Sequence, residues 1–177
     1  TGTICGARLA LGNGTASAYV KLDRGAPVEL GIAISEAAMN GLPAGGGAPG
    51  GMPGMGHGQE LLLQIPSEAS ALPFKLVQLN WNPAGHVPVE IYGVPHFDFH
   101  FYTISNAERL AIDPAAADFA QRAANMPAAA YVPPRYLAVS ALAGIPAAAA
   151  TEPAMGLHRL AQMSSEFNGQ KFTQTFI

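Results

Sequence analysis

The chain of 177 residues is short of several things, and each shortage excludes something. It has one cysteine, Cys5, so no internal disulfide can staple it, and a buried small residue is the plainest use of that thiol. Only 12 % of residues are charged, against ~25 % in ordinary soluble domains. A surface that poor in charge follows from burial between subunits or from an exported chain. The nine Lys and Arg are scattered and the net charge is −3, so no basic cluster exists to neutralise phosphates. Nucleic-acid binding is thereby disfavoured. No apolar run approaches the ~20 residues that a membrane helix needs. The chain opens on Thr1 rather than methionine, as a processed exported chain would. Dinucleotide, P-loop and nucleophile-elbow signatures are also missing, since Gly12-Asn13-Gly14 and GGGAPGG lack the residues that would complete them.

What is present reads as strands. ARLALGNGTASAYVKLD has the alternation of a β-hairpin around Gly12-Asn13-Gly14. Val28, Leu30, Ile32 and Ile34 line one face of the next strand, and Ser35 is placed to cap a short helix through Met39. ELLLQI and FKLVQLNW give two further strands. Ser105-x-x-Glu108 reads as a capping box, and Asp113-Pro114 as the start of a helix through AAADFAQRAAN. YLAVSAL, MGLHRL and KFTQTFI are expected as closing strands. The reading is one α+β domain over 1–177: an antiparallel sheet or barrel with two or three short helices, interrupted by a Gly/Pro/Met-rich loop at about 42–59.

The chemistry concentrates in PHFDFHFY, residues 95–102. Residues two apart on a strand share a face, so His96, Asp98, His100 and Tyr102 point one way and Phe97, Phe99 and Phe101 the other. The phenylalanines are expected to face the core. At ~3.3 Å per residue, His96 and His100 stand ~13 Å apart at Cα. A regular strand therefore lets only neighbours share an ion: His96 with Asp98, or Asp98 with His100. Other ligands must come from elsewhere, and His86 and His158 are the candidates. Asp98 and Glu90 are the candidates for moving protons, and Asp98 could instead orient a histidine. A hydrogen-bonded structural network is the bland alternative for the same residues.

Asn80-Trp81-Asn82-Pro83, Gly85-His86, Tyr92, PHFDFHFY, Met155-Gly156-x-His158 and FTQTFI together resemble a little-studied bacterial family of unknown function with a Thermus member under sigma-E stress control. The resemblance runs from Arg8 onward. It implies an exported or envelope-associated, self-associating domain with His86, His96, His100 and His158 at recurrent histidine positions, and it supplies no reaction. The Gly/Met loop at 44–58 departs from that pattern, and family members continue past FTQTFI by a further strand.

Three functions compete. Three histidines, with or without a carboxylate, suit zinc first, and an open coordination position gives hydrolase or lyase chemistry on a small-molecule substrate. A non-catalytic scavenger of zinc or copper is the second, and the soft donors of MPGMGH (52–57) suit copper(I). The third is a barrel whose His/Asp/Tyr wall binds a small polar ligand.

Overall fold

The computed structural model describes residues 1–44 and 58–175, which form two compact units, Thr1–Ser105 and Asn106–Ile177. MPGMGH and His57 lie outside the described residues.

The first unit contains two antiparallel sheets. In one, β1 (Gly2–Cys5) and β2 (Leu9–Leu11) both pair with β3 (Gly14–Asp23), and β4 (Ala26–Ile34) takes its other edge. Leu11 is opposite Gly14, so Gly12-Asn13 is a two-residue hairpin loop; Gly12 has φ 51°, the left-handed value a primed turn requires. The second sheet runs β5 (Gln59–Leu63), β6 (Leu76–Asn82), β7 (His96–Tyr102), with β6 in the middle. A single-turn helix α1 (Val89–Tyr92) lies in the connection between β6 and β7. Leu11, Ala16 and Ala18 from the first sheet meet Leu63, Val77 and Leu79 from the second in one buried cluster. The small alanines allow close approach, and Ala38 from a 3-10 turn at Glu36–Met39 closes the cluster. Ser35 does not cap that turn; its Oγ accepts the Thr15 N–H at 2.9 Å instead.

The second unit is made of short pieces: α2 (Asn106–Leu110), α3 (Phe119–Ala123), β8 (Tyr136–Ala138), α4 (Val139–Ala143), β9 (Thr151–Glu152), β10 (Gly156–Leu157) and β11 (Arg159–Ala161). The helix expected from Asp113 forms only at Phe119–Ala123, because Asp113 Oδ1 accepts the Ala115 N–H at 2.9 Å and holds a local turn. YLAVSAL is a strand only to Ala138 and then turns helical. MGLHRL breaks at His158, where the chain changes partner from β9 to β8. Residues 171–175 are not a strand.

The fold is thus α+β with four short α-helices and antiparallel sheets, none closed into a barrel among the described residues. None of the described helices is long and apolar enough to cross a membrane. The phenylalanine face of β7 corrects an expectation. Phe97 packs on the core, 4.8 Å from the Trp81 ring, but Phe99 and Phe101 are 51 % and 38 % exposed. β7 is the edge of its sheet, and the buried cluster reaches only its first phenylalanine.

Candidate metal centre

The other face of the second sheet is polar. On β6 the alternation of LVQLNWN sends Val77 and Leu79 into the core and turns Gln78, Asn80 and Asn82 the other way. In register, Asn82 is opposite His96, Asn80 opposite Asp98, and Gln78 opposite His100. On the far side Glu60 is opposite Asn80. All three amides are buried. Two of them are spent on carboxylates: Gln78 donates to Glu60 Oε2 at 2.8 Å, and Asn82 donates to Asp98 Oδ2 at 2.7 Å.

His86 arrives from the connection between β6 and β7. Asn82-Pro83-Ala84-Gly85 is a tight turn closed by a Gly85 N–H to Asn82 carbonyl bond of 3.2 Å, with proline second as such turns favour. Gly85 has φ 66°, and a Cβ there would run into the carbonyl oxygen of Tyr92. Only glycine therefore lets the loop close on itself. The His86 N–H then bonds to the Tyr92 carbonyl at 3.2 Å, which folds α1 back against the turn. The buried Tyr92 ring lies 5.5 Å from the His86 ring.

The result is a convergence of three side chains. His86 Nε2 is 3.5 Å from Asp98 Oδ2, and His96 Nε2 is 3.4 Å from Asp98 Oδ1. One ligand atom from each of the three lies within 4.8 Å of the others. The side chains are 16 %, 10 % and 24 % exposed for His86, His96 and Asp98, so the cluster is sheltered yet reachable. The opposite ring nitrogens are committed: His86 Nδ1 is 2.9 Å from the Val87 carbonyl and His96 Nδ1 2.6 Å from the Val94 carbonyl. A carbonyl oxygen only accepts, so each Nδ1 carries a hydrogen, and Nε2 is the ring nitrogen that each histidine turns toward Asp98. Burial pushes the Asp98 carboxyl up. The contacts and charge of His86 and His96 outweigh this and hold it far below the usual carboxylate range. Asp98 is ionised.

Two uses of this trio can be set against its distances. A charge-assisted N–H···O bond runs ~2.7–2.9 Å, shorter than both contacts. Ligands at ~2.0–2.1 Å from a tetrahedral ion stand ~3.3–3.4 Å from one another; the two imidazoles meet Asp98 at 3.5 and 3.4 Å, each at a different oxygen, and one ligand atom from each residue lies within 4.8 Å of the others. Backbone carbonyls on both Nδ1 atoms and an amide on the carboxylate are the outer partners that orient metal ligands.

Of the residues singled out in the sequence, His86, His96 and Asp98 come together. His100 is outside the trio, its ring stacked on Tyr102 at 5.8 Å. Glu90 is exposed on α1. His158 belongs to the second unit, between β10 and β11, where its carbonyl accepts the Val139 N–H. Asn82 and Asn80 enter the sequence reading only within Asn80-Trp81-Asn82-Pro83, with no role at the site. The period-two alternation of LVQLNWN would have placed both on the site face.

Residues 23–81, one third of the chain, match the model of the TTHB210-like family, described as "Hypothetical protein TTHB210". PHFDFHFY and His86 lie beyond the matched residues. No curated protein and no solved structure matches the chain.

Proposed function

We propose that the protein binds one divalent transition-metal ion, zinc first, through His86 Nε2, His96 Nε2 and a carboxylate oxygen of Asp98, and uses it in hydrolase- or lyase-type chemistry on a small molecule. The observation that carries this is the convergence of two Nε2 atoms, each oriented by a backbone carbonyl on its Nδ1, on one carboxylate, with a ligand atom of each residue within 4.8 Å of the others. Two histidines and one carboxylate leave a side of the ion for water or substrate, and the bound ion would activate either as a Lewis acid. Asp98 is used as a ligand in this reading rather than as a proton carrier, and the exposed Glu90 is given no role. His100 and Tyr102, further along the same face, are offered as part of the wall a substrate meets.

A second reading is a non-catalytic metal-binding protein. It is favoured by the fact that, among the described residues, no fourth His, Cys, Asp or Glu joins the trio as a ligand. Export and self-association belong to the same proposal, supported by the scarcity of charge and by the exposed Val28, Phe99 and Phe101.

Elemental analysis of protein purified without an affinity tag tests the reading. Stoichiometric metal that is lost in His86→Ala and His96→Ala supports it, and metal-free, folded wild type that takes up none on addition refutes it. Metal without turnover of ester, amide, lactone or phosphoester substrates leaves the second reading.

A further inference from the structure

Asn80 is unlike its neighbours. It sits in the central strand, between Glu60 on one side and Asp98 on the other, and is 0 % exposed. Neither its Oδ1 nor its Nδ2 has a hydrogen-bond partner among the described residues. Gln78 and Asn82, on either side of it along the same face, both spend their amides on carboxylates. Leaving a buried donor or acceptor unmade costs stability. A β-branched or leucine side chain would serve a buried central strand without that cost. The residue therefore works against the stability of its own strand unless its amide meets something.

Position says what it can meet. Directly opposed residues in an antiparallel pair have Cβ atoms ~4.5–5.5 Å apart, so the Asn80 amide and the Asp98 carboxylate leave the sheet side by side. Asp98 is fixed from the other direction by Asn82 and by the two imidazoles. The amide is uncharged and offers both an acceptor and two donors. It is matched to a neutral molecule that donates and accepts at once. An anion would use only the donors and leave Oδ1 unsatisfied.

We infer that Asn80 is a positioning residue for the neutral donor–acceptor molecule (water, an alcohol or a primary amide) that takes the remaining side of the ion held by His86, His96 and Asp98. This rests on the metal-site reading above and adds a class to it: the ligand admitted there is neutral, not a carboxylate or phosphate. Asn80 Oδ1 accepts from that molecule and Nδ2 donates to it, so the amide sets which lone pair faces the ion.

The test uses the whole chain and the metal alone as first probe. Asn80→Leu fills the site without polar atoms, and Asn80→Thr restores a smaller donor–acceptor group, which also guards against a leucine variant that fails to fold. Zinc affinity is measured by competition with a chelator, and thermal midpoints are taken with and without zinc. Asn80→Leu is expected to raise the metal-free midpoint while weakening zinc by roughly tenfold or more, the size typical of lost outer partners; Asn80→Thr falls between. In cobalt(II)-substituted wild type, acetamide is expected to change the visible spectrum and acetate to leave it unchanged, and Asn80→Leu to abolish the acetamide response. Zinc affinity within twofold of wild type in both variants, or a cobalt spectrum that answers acetate and not acetamide, overturns the inference with the metal site intact. Wild type that binds neither zinc nor cobalt overturns the metal reading itself and this inference with it.

Discussion

Asp98→Asn separates metal coordination from a structural ion-pair network most sharply. The substitution keeps the shape of the side chain, and its remaining carbonyl oxygen can still accept the Asn82 amide N–H that bonds to Oδ2 at 2.7 Å. What disappears is the charge and one anionic ligand between two Nε2 atoms at 3.4 and 3.5 Å. Loss of an outer partner alone typically lowers metal affinity 10–100-fold, so loss of a ligand is taken here as about 100-fold or more. At a zinc concentration ~100 times the wild-type Kd, binding stabilises the folded chain by about 2.7 kcal/mol. For a chain of this size that raises Tm by roughly 5–11 °C, at ~2–4 °C per kcal/mol. In Asp98→Asn the same zinc lies near the new Kd, the linkage falls to ~0.4 kcal/mol, and the shift shrinks to about 1 °C. Scanning calorimetry of both proteins at matched zinc, with magnesium as the control cation, is the assay. A full zinc shift retained in Asp98→Asn refutes coordination by the trio, and a shift of equal size with magnesium refutes its selectivity for nitrogen-binding metals.

Gly85→Ala puts a methyl group against the Tyr92 carbonyl at a backbone angle of φ 66°; the backbone alone costs ~1–2 kcal/mol, and zinc affinity is expected to fall by more than stability because His86 is the next residue. Phe97→Ala, beside Trp81 in the core, is expected to cost roughly 2–3 kcal/mol in urea unfolding, and Phe99→Ala on the exposed stretch no more than ~0.5 kcal/mol; equal costs would contradict the packing described. The Glu29 carboxyl is held below its ordinary range first by the Tyr19 hydroxyl, which donates at 2.6 Å, and then by Lys21. A depressed folded-state pKa gives stability that is present above the unfolded value and lost as pH falls through the folded one. Glu29→Gln is therefore expected to be less stable than wild type near neutrality, with the difference closing in acid; a gap that stays constant to pH 2 would show that the pair contributes nothing through titration.

The strands were legible because their signal is local. Period-two alternation in Leu9–Asp23, Val28–Ile34 and His96–Tyr102 survives folding, since the first two segments pack one face against the core and the third follows the alternation of its partner strand, reaching the core at Phe97. The second unit was read less well for the opposite reason. Its elements are two to five residues long, and over such lengths turn chemistry such as the Asp113 side chain bonding to Ala115 outweighs any periodicity. The exposed Phe99 and Phe101 show the limit of a face-by-face reading: alternation tells which side a residue takes, not whether the opposing sheet extends far enough to cover it.

The site divides along the same line. Strand geometry restricts His96 to sharing an ion with Asp98 rather than with His100, and the trio that forms obeys that restriction. The third member depends on a connection with no repeating pattern, in which Gly85 turns the chain, Tyr92 closes it and two valine carbonyls fix the imidazoles. None of those four contributions is a metal-binding residue type, and each acts through the backbone. A strand supplies two ligands at fixed spacing but points them away from the sheet in parallel. Convergence needs a group approaching from outside the sheet, and the loop that bridges β6 and β7 is anchored where Asn82 faces His96, beside the point where that group is needed. Shortening this loop while keeping His86 in the chain should therefore abolish metal binding as completely as His86→Ala does, with the β6–β7 pairing intact.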